Sequence, residues 1–128
     1  MESKSLKYGC IHCRRRCLFV YVVSRVFLFH KGTIDSVIDQ YQKPPVMLHF
    51  PGFVRRDVLI NKKNPDYDSV RILIYWENKN AFYRFEGSPL HIALHKDKNS
   101  SHHQKPEGFI SMVEEDYILI SSDTYVES

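Results

Sequence analysis

The sequence predicts an α+β domain of the ferredoxin-like kind, in which the elements follow the order β-α-β-β-α-β. Four apolar segments rich in Val, Ile and aromatic residues are interrupted by two regions where apolar residues recur at helical spacing. The 128 residues suffice for one domain with a small core. We place this domain at residues 18–121, between a flexible N-terminal extension of residues 1–17 and a C-terminal tail of residues 122–128.

The first strand and the first helix are predicted from residues 18–45. Residues 18–29 are apolar at all but two positions, which is typical of a central strand that is buried on both faces. Gly32 ends this strand, and Thr33 can cap the helix that follows. The apolar residues of this helix recur at Ile34, Val37, Ile38 and Tyr41. Pro44-Pro45 ends the helix, because proline lacks the N–H that a further turn requires.

The remaining strands form a hairpin and a separate last strand. Residues 52–60 and 68–76 are predicted as the second and third strands, joined by turn-forming residues at 61–67. The third strand carries an apolar face made of Val70, Ile72, Ile74 and Trp76. Residues 108–120 are predicted as the last strand, after a polar loop at residues 96–107.

Two short helices are predicted between the third strand and the polar loop. Asn78 can cap the first, and Gly87 ends it. The apolar face of this first helix consists of Ala81, Phe82 and Phe85. Ser88-Pro89 begins the second helix with a hydroxyl cap followed by proline at the first helical position. His91 and His95 then lie four residues apart, so they share one face of this helix.

The charge and hydropathy of the chain exclude two classes of partner. The formal net charge is only +3, and the one tight basic cluster is Arg14-Arg15-Arg16, so we predict no nucleic-acid binding. The apolar residues 18–29 are too few to span a bilayer and contain Arg25. A signal peptide would be followed by small residues, whereas His30-Lys31 follows here. We therefore predict a cytoplasmic protein without a membrane anchor.

The three cysteines lie together near the N-terminus, at Cys10, Cys13 and Cys17. An odd number in a segment without hydrophobic periodicity does not indicate a disulfide framework, and their absence from the domain suits a reducing compartment. Together with His12 they have ligand types that zinc prefers. We favour a flexible tail over a zinc-dependent module, because a structural zinc site needs a fold around it.

The segment from Trp76 to His95 carries a motif that points to a family. Its pattern W-x-x-K-x-A-F-x-x-aromatic-x-x-S-x-x-x-x-x-x-H resembles the antibiotic biosynthesis monooxygenase (ABM) domain family, and within it the IsdG-type haem-degrading monooxygenases. Lys31-Gly32-Thr33, Pro51-Gly52-Phe53 and Asn64-Pro65-Asp66-Tyr67-Asp68 extend the similarity. The resemblance spans roughly residues 19–120.

The resemblance implies haem as ligand and substrate, and it assigns roles to particular residues. His95 matches the histidine that ligates the haem iron in the family. Phe85 stands where the family has a tryptophan that presses on the porphyrin. The family's asparagine on the first strand falls on Arg25 by counting from Lys31, or on Ser24 by local similarity. Trp76 and His91 complete the candidate haem contacts. Arg25 could pair with a propionate or with a bound oxygen species, or it could form a salt bridge at the barrel rim.

Structural roles compete with each of these assignments. His95 can simply occupy a helix C-terminus, where positive charge is favourable. His91 and His95 have the spacing of two metal ligands, but no third ligand is indicated. Phe82 and Phe85 are typical core residues, and Trp76 can pack beneath the helix without touching a ligand.

The predicted strands are apolar on both faces, whereas two main helices can cover only one face of a four-stranded sheet. A second copy of the chain would cover the other face, and the resemblance implies the geometry of a dimeric α/β barrel. The resemblance also implies an external electron donor or reductase. The predicted function is a haem-degrading monooxygenase. The alternatives are a cofactor-free ABM oxygenase acting on a small aromatic substrate, or a non-catalytic dimer that binds haem or another ligand.

Overall fold

The computed structural model describes residues 20–96 and 105–127, except for the side chains of residues 95 and 96, and shows one four-stranded antiparallel sheet in this part. The elements in chain order are β1 (Val20–His30), α1 (Asp35–Tyr41), β2 (Phe53–Asn61), β3 (Tyr67–Trp76), α2 (Lys79–Glu86), α3 (Pro89–Lys96) and β4 (Phe109–Leu119). The strands lie in the order β2-β3-β1-β4. The fold is therefore the α+β ferredoxin-like fold that the sequence predicts.

The predicted caps of α2 and α3 are confirmed. The Asn78 side chain accepts a hydrogen bond from the Ala81 backbone N–H at 2.8 Å. The Ser88 hydroxyl oxygen accepts from the backbone N–H of His91 at 3.2 Å. Each bond satisfies a backbone donor that has no partner within its own helix.

The predicted cap of α1 is wrong. This helix begins at Asp35, its N-cap residue is Ile34, and no side chain caps it. The Thr33 hydroxyl instead donates to the carbonyl oxygen of His30 at 2.7 Å. Thr33 thus closes the turn that follows β1, and its hydroxyl is used there rather than at the helix.

One face of the sheet, which we call the helix face, packs against α1 and α2. The predicted apolar face of β3 is confirmed, because all four of its side chains are buried here. The buried core around it consists of Tyr21, Val23 and Phe29 from β1, Ile34 and Val37 at α1, and Ala81, Phe82 and Phe85 from α2. The two helices are therefore fixed over the sheet by apolar and aromatic contacts.

The opposite face of the sheet, which we call the open face, is exposed or half-buried over much of its area. The strand pairing places on it Val22, Ser24, Val26, Leu28, Arg55, Asp57, Leu59, Arg71, Leu73, Tyr75, Val113, Glu115 and Tyr117. Leu59, Val113 and Tyr117 each expose about half of their surface. The open face is thus a mixed surface of apolar side chains and paired charges.

The parts outside the domain are described only in part. Residues 1–17 lie outside the described residues, and so do the three cysteines Cys10, Cys13 and Cys17. The predictions of a flexible extension and of a zinc site concern these residues and stay predictions. Residues 121–127 form neither helix nor strand and are exposed. Among the described residues, no helix has both the length and the apolar character needed to cross a bilayer.

Candidate functional site

An aromatic cluster lies where α2 meets the end of β3. Phe85 packs against Phe50 and Trp76, with ring centroids 5.2 Å and 5.4 Å away. Phe82 approaches Trp76 from the same helix at 6.1 Å. Trp76 is 1% exposed and Phe85 is 4% exposed, so both predicted contact residues are core side chains in this structure. These contacts hold α2 in position over the sheet.

The Trp76 indole is the polar component of this cluster. Its Nε1 is fully buried and has no hydrogen-bond partner among the described residues. A buried N–H without a partner costs free energy, because the group has lost its hydrogen bonds to water. This indole is therefore a donor directed into an apolar region.

The helix α3 continues the cluster toward the surface. The His91 ring lies 5.0 Å from the Phe85 ring, and its Nδ1 is 3.0 Å from the carbonyl oxygen of Glu86. When Nδ1 carries the proton, it donates to that carbonyl and fixes the orientation of the imidazole. His95 follows one turn later in α3, but its side chain lies outside the described residues.

An apolar groove of about 450 Å³ lies beside α3. It is lined by Pro44, Pro45, Val46, Leu48, His49, Phe50 and Leu90. The loop between α1 and β2 supplies all of these residues except Leu90, which belongs to the first turn of α3. Phe50 lines the groove and also packs against Phe85, so the groove adjoins the aromatic cluster. The groove is broadly open to solvent, and its lining is mostly apolar.

The sequence analysis does not predict this groove, because it assigns the loop between α1 and β2 no role in binding. Apolar residues at Val46, Leu48 and Phe50 recur in a segment bounded by prolines. Val46 and Leu48 are exposed, at 46% and 45%. Apolar side chains in a connecting loop indicate a binding surface, and this signal is present in the sequence.

Arg25 lies on the helix face in the middle of the sheet. It is paired in register with Ile72 of β3 and with Glu114 of β4. Its Nε donates to Glu114 Oε1 at 3.0 Å, and the Arg25 side chain keeps 31% of its surface exposed. The charge of Arg25 also acts on Tyr41 of α1. Burial raises the pKa of the Tyr41 phenol, whereas the positive charges of Arg25 and Arg56 lower it.

Ser24 lies on the opposite face of the sheet from Arg25, because successive side chains of a strand alternate. Its hydroxyl oxygen accepts from Arg71 NH1 at 2.8 Å, and Ser24 is 1% exposed. The structure therefore brings Arg25 to the same side of the sheet as Phe85 and Trp76, and it places Ser24 on the open face.

The described residues contain no cluster of metal-ligating side chains. Within residues 20–94 and 105–127, no three His, Cys, Asp or Glu side chains converge as a metal site would require.

Comparison with curated proteins identifies related sequences, although no family model matches the chain. A haem-degrading monooxygenase from Bacillus thuringiensis subsp. konkukian is 30% identical over 104 residues, which cover 81% of this chain and 85% of that protein. A protein of the same name from Bacillus thuringiensis strain Al Hakam is 31% identical over 74 residues, which cover 58% of this chain and 69% of that protein.

Comparison with solved structures identifies the same fold. A Bacillus cereus protein described as an antibiotic biosynthesis monooxygenase superimposes with a TM-score of 0.67 at 22% identity, over 84% of this chain and 99% of that one. MhuD from Mycobacterium tuberculosis, a haem degrader solved with two haems in its active site, gives 0.56 at 15% identity, over 80% and 99%. SnoaB from Streptomyces nogalater, a cofactor-independent oxygenase, gives 0.53 at 17% identity, over 84% and 98%.

Proposed function

We propose a function for this chain on the premise that it belongs to the antibiotic biosynthesis monooxygenase (ABM) domain family, close to the IsdG-like haem-degrading monooxygenases. It is an ABM-domain monooxygenase. Within that class, the proposed reaction is the oxidative cleavage of haem with release of its iron, using electrons from an external donor or reductase. The proposed location is the cytoplasm.

The observation that carries the proposal is the apolar groove beside α3. The groove has a volume of about 450 Å³ and adjoins the helix that contains His91 and His95. A flat apolar ligand that enters between the α1–β2 loop and α3 would lie against this helix. The lining of the groove is mostly apolar and includes the imidazole of His49, so the residues present fit a haem.

The proposed roles follow from the elements that hold the residues. His95 would bind the haem iron, and Phe85 would support the porphyrin from beneath as part of the aromatic cluster. Trp76 and His91 keep Phe85 in place, since their rings lie 5.4 Å and 5.0 Å from it. The bound haem supplies the oxygen chemistry. The chain contributes an apolar surround that excludes water from the reacting group.

The proposed assembly is a homodimer in which the open faces of two chains pack against each other. Apolar side chains such as Leu59, Val113 and Tyr117 are half-exposed on this face. Their burial by a second copy would remove them from water. The open face also carries both signs of charge, with Arg71 beside Ser24 and Glu115 bonded to Tyr117, so it can complement itself.

Hemin titration of wild type, His95→Ala and His91→Ala tests the proposed iron ligand. We expect a stoichiometric Soret band in wild type, its loss or a shift of the band in His95→Ala, and a band close to wild type in His91→Ala. The last expectation follows from the resemblance, which assigns the iron to His95; the Nδ1 contact of His91 with the Glu86 carbonyl does not by itself prevent ligation through Nε2, so this variant is a test and not only a control.

Addition of ascorbate to the hemin complex then tests turnover. Bleaching of the Soret band together with free Fe²⁺, measured with a ferrous chelator, supports haem degradation. A stable complex that never bleaches contradicts degradation and leaves a haem-binding protein without catalysis. A Soret band that is unchanged in His95→Ala contradicts the assignment of the ligand.

A second candidate is cofactor-free oxygenation of a small aromatic substrate. The buried Trp76 Nε1, which has no partner among the described residues, favours it because this N–H can donate to a phenol or quinone oxygen. Consumption of oxygen with an anthrone such as dithranol, in a protein that does not bind hemin stoichiometrically, would support this candidate. Absence of oxygen uptake with that substrate would contradict it.

A further inference from the structure

We infer that Arg25 anchors an acidic group of the ligand, so that the site selects flat apolar molecules that carry a carboxylate. The inference deepens the proposed function and rests on it for the shape of the ligand. It concerns a residue at which this chain differs from the asparagine that the resemblance would place on the first strand.

The position of Arg25 is unusual for a charged residue. On the helix face of β1 its neighbours two residues away are Val23, which is 1% exposed, and Phe27, which packs against the core. The residue beside it on β3, Ile72, is 5% exposed. A guanidinium placed among apolar side chains needs a partner to offset its lost hydration.

The ion pair with Glu114 meets only part of this need. The two side chains keep 31% and 46% of their surface exposed, and pairs with that much exposure contribute little to the stability of a fold. The hydrogen bond that Arg25 makes to Glu114 in the described part of the chain uses Nε alone. The opposite edge of the guanidinium, formed by NH1 and NH2, is the edge that matches the two oxygens of a carboxylate.

The charged groups around Arg25 are of both signs. Tyr41 interacts electrostatically with both Arg25 and Arg56, and it lies three residues before Pro44, which lines the groove. The next carboxylate along the helix face of β4, Asp116, accepts a hydrogen bond of 2.6 Å from the Tyr21 hydroxyl. Glu114 is therefore the acidic group paired with Arg25, and its contact with Nε leaves the terminal nitrogens for the carboxylate that we infer.

The experiment uses metal-free protoporphyrin IX and its dimethyl ester, which share a ring system and differ in their carboxylates. Binding is measured by quenching of the fluorescence of Trp76, which is the single tryptophan of the chain. We expect wild type to bind the diacid at least about 10-fold more tightly than the diester, as a charge-assisted hydrogen-bonded pair would give.

Three variants separate the role of Arg25 from a general effect of charge. Arg25→Gln should weaken diacid binding by about 10-fold or more and leave diester binding unchanged, so the preference disappears. Arg25→Lys keeps the charge but not the two parallel donors, so an intermediate preference is expected. Arg71→Gln removes an arginine from the open face, where it is bonded to Ser24, and should keep the full preference.

Equal affinity of wild type for diacid and diester would overturn the inference without any use of a variant. It would also be overturned if neither porphyrin binds, or if Arg71→Gln lowers diacid binding as much as Arg25→Gln does. These porphyrins contain no iron, so their binding does not depend on His95. Failure here therefore leaves the hemin titration as a separate test of the proposed function.

Discussion

In the proposed function, Arg25 and Phe85 are the positions at which this chain differs from the residues that the family resemblance implies. Phe85 is 4% exposed, packs against Phe50 and Trp76, and carries no hydrogen-bond donor. The buried donor in the same cluster is the Trp76 indole. Arg25 adds a positive charge to a face of β1 that is otherwise apolar or aromatic.

Asp68 provides a prediction about stability against pH. Lys31 Nζ lies 2.7 Å from Asp68 Oδ1, and this hydrogen bond lowers the pKa of the Asp68 carboxyl below the ordinary value of about 4. The stability from this contact is fully present above the ordinary value and is lost as pH falls through the lowered one. We expect Asp68→Asn to unfold more readily at neutral pH and to lose less stability than wild type below about pH 4.

Urea denaturation of both proteins between pH 3 and 7, at about half-unit steps, would measure this difference. Asp66→Asn in the exposed β2–β3 turn is the control, because it changes the same charge without breaking a contact with Lys31. A parallel loss of stability with falling pH in wild type and Asp68→Asn would contradict the prediction.

Helix caps and the orientation of strand residues differ in how well the sequence predicts them. Asn78 and Ser88 cap their helices as predicted, because each partner lies three residues further along the chain. The cap predicted at Thr33 is wrong, because its hydroxyl donates to the carbonyl oxygen of His30 and does not cap α1. Counting from Lys31 matches the family's asparagine to Arg25, and local similarity matches it to Ser24; the pairing of β1 with β3 puts Arg25 on the helix face and Ser24 on the open face.

The loop between α1 and β2 is the element on which the groove depends, and Gly52 fixes its end. Gly52 has φ of +93°, and a Cβ at this position would lie 2.5 Å from the Cβ of Ala81 in α2. Its carbonyl oxygen accepts from the Glu77 N–H at 2.8 Å. The glycine therefore permits the loop and the start of α2 to touch.

Gly52→Ala should destabilise the protein more than Gly32→Ala. Gly32 has φ of +85°, and no atom lies within 4 Å of the point that a Cβ would occupy, so its substitution carries only the backbone strain of about 1–2 kcal/mol. Gly52→Ala adds the clash with Ala81, worth about 1–3 kcal/mol. Urea denaturation of the two variants measures the difference. Equal losses of stability in the two variants would contradict the prediction, because they would mean that α2 moves away from the loop without a cost in free energy.

The groove itself could not be predicted from the sequence of either element. The residues of the loop and Leu90 of α3 are about forty positions apart, and they meet only because α2 and α3 fold back over the sheet. Periodicity identified the helices and strands, whereas the space between a loop and a helix depends on how those elements pack. The side chain of His95, on which the family resemblance depends most, lies outside the described residues.

At the scale of the whole molecule, the proposed homodimer buries the open face, and two neighbouring residues of β4 test this proposal. Val113 lies on the open face and is 56% exposed, whereas Met112 lies on the helix face and is 43% exposed. We expect Val113→Lys to weaken the dimer by at least about 100-fold, because an unpaired ammonium would be buried between the sheets. Met112→Lys should leave assembly unchanged.

Sedimentation velocity over a range of protein concentrations would measure both variants against wild type. A wild type that sediments as a monomer at all concentrations would contradict the dimer. The same shift toward monomer in both variants would contradict the open face as its interface. Both positions are exposed in the single chain, so neither substitution should prevent folding.

Strand β4 lies at one edge of the sheet, and its exposed edge bears on the aggregation of the protein. Within residues 20–96 and 105–127 its outer edge pairs with no other strand, so it could template a foreign strand, and the exposed side chains of Ile110, Met112, Val113 and Ile118 would favour such pairing. Three consecutive acids, Glu114, Glu115 and Asp116, interrupt that run. When two such edges approach each other side by side, these carboxylates repel, so they act as gatekeepers against fibrous aggregation.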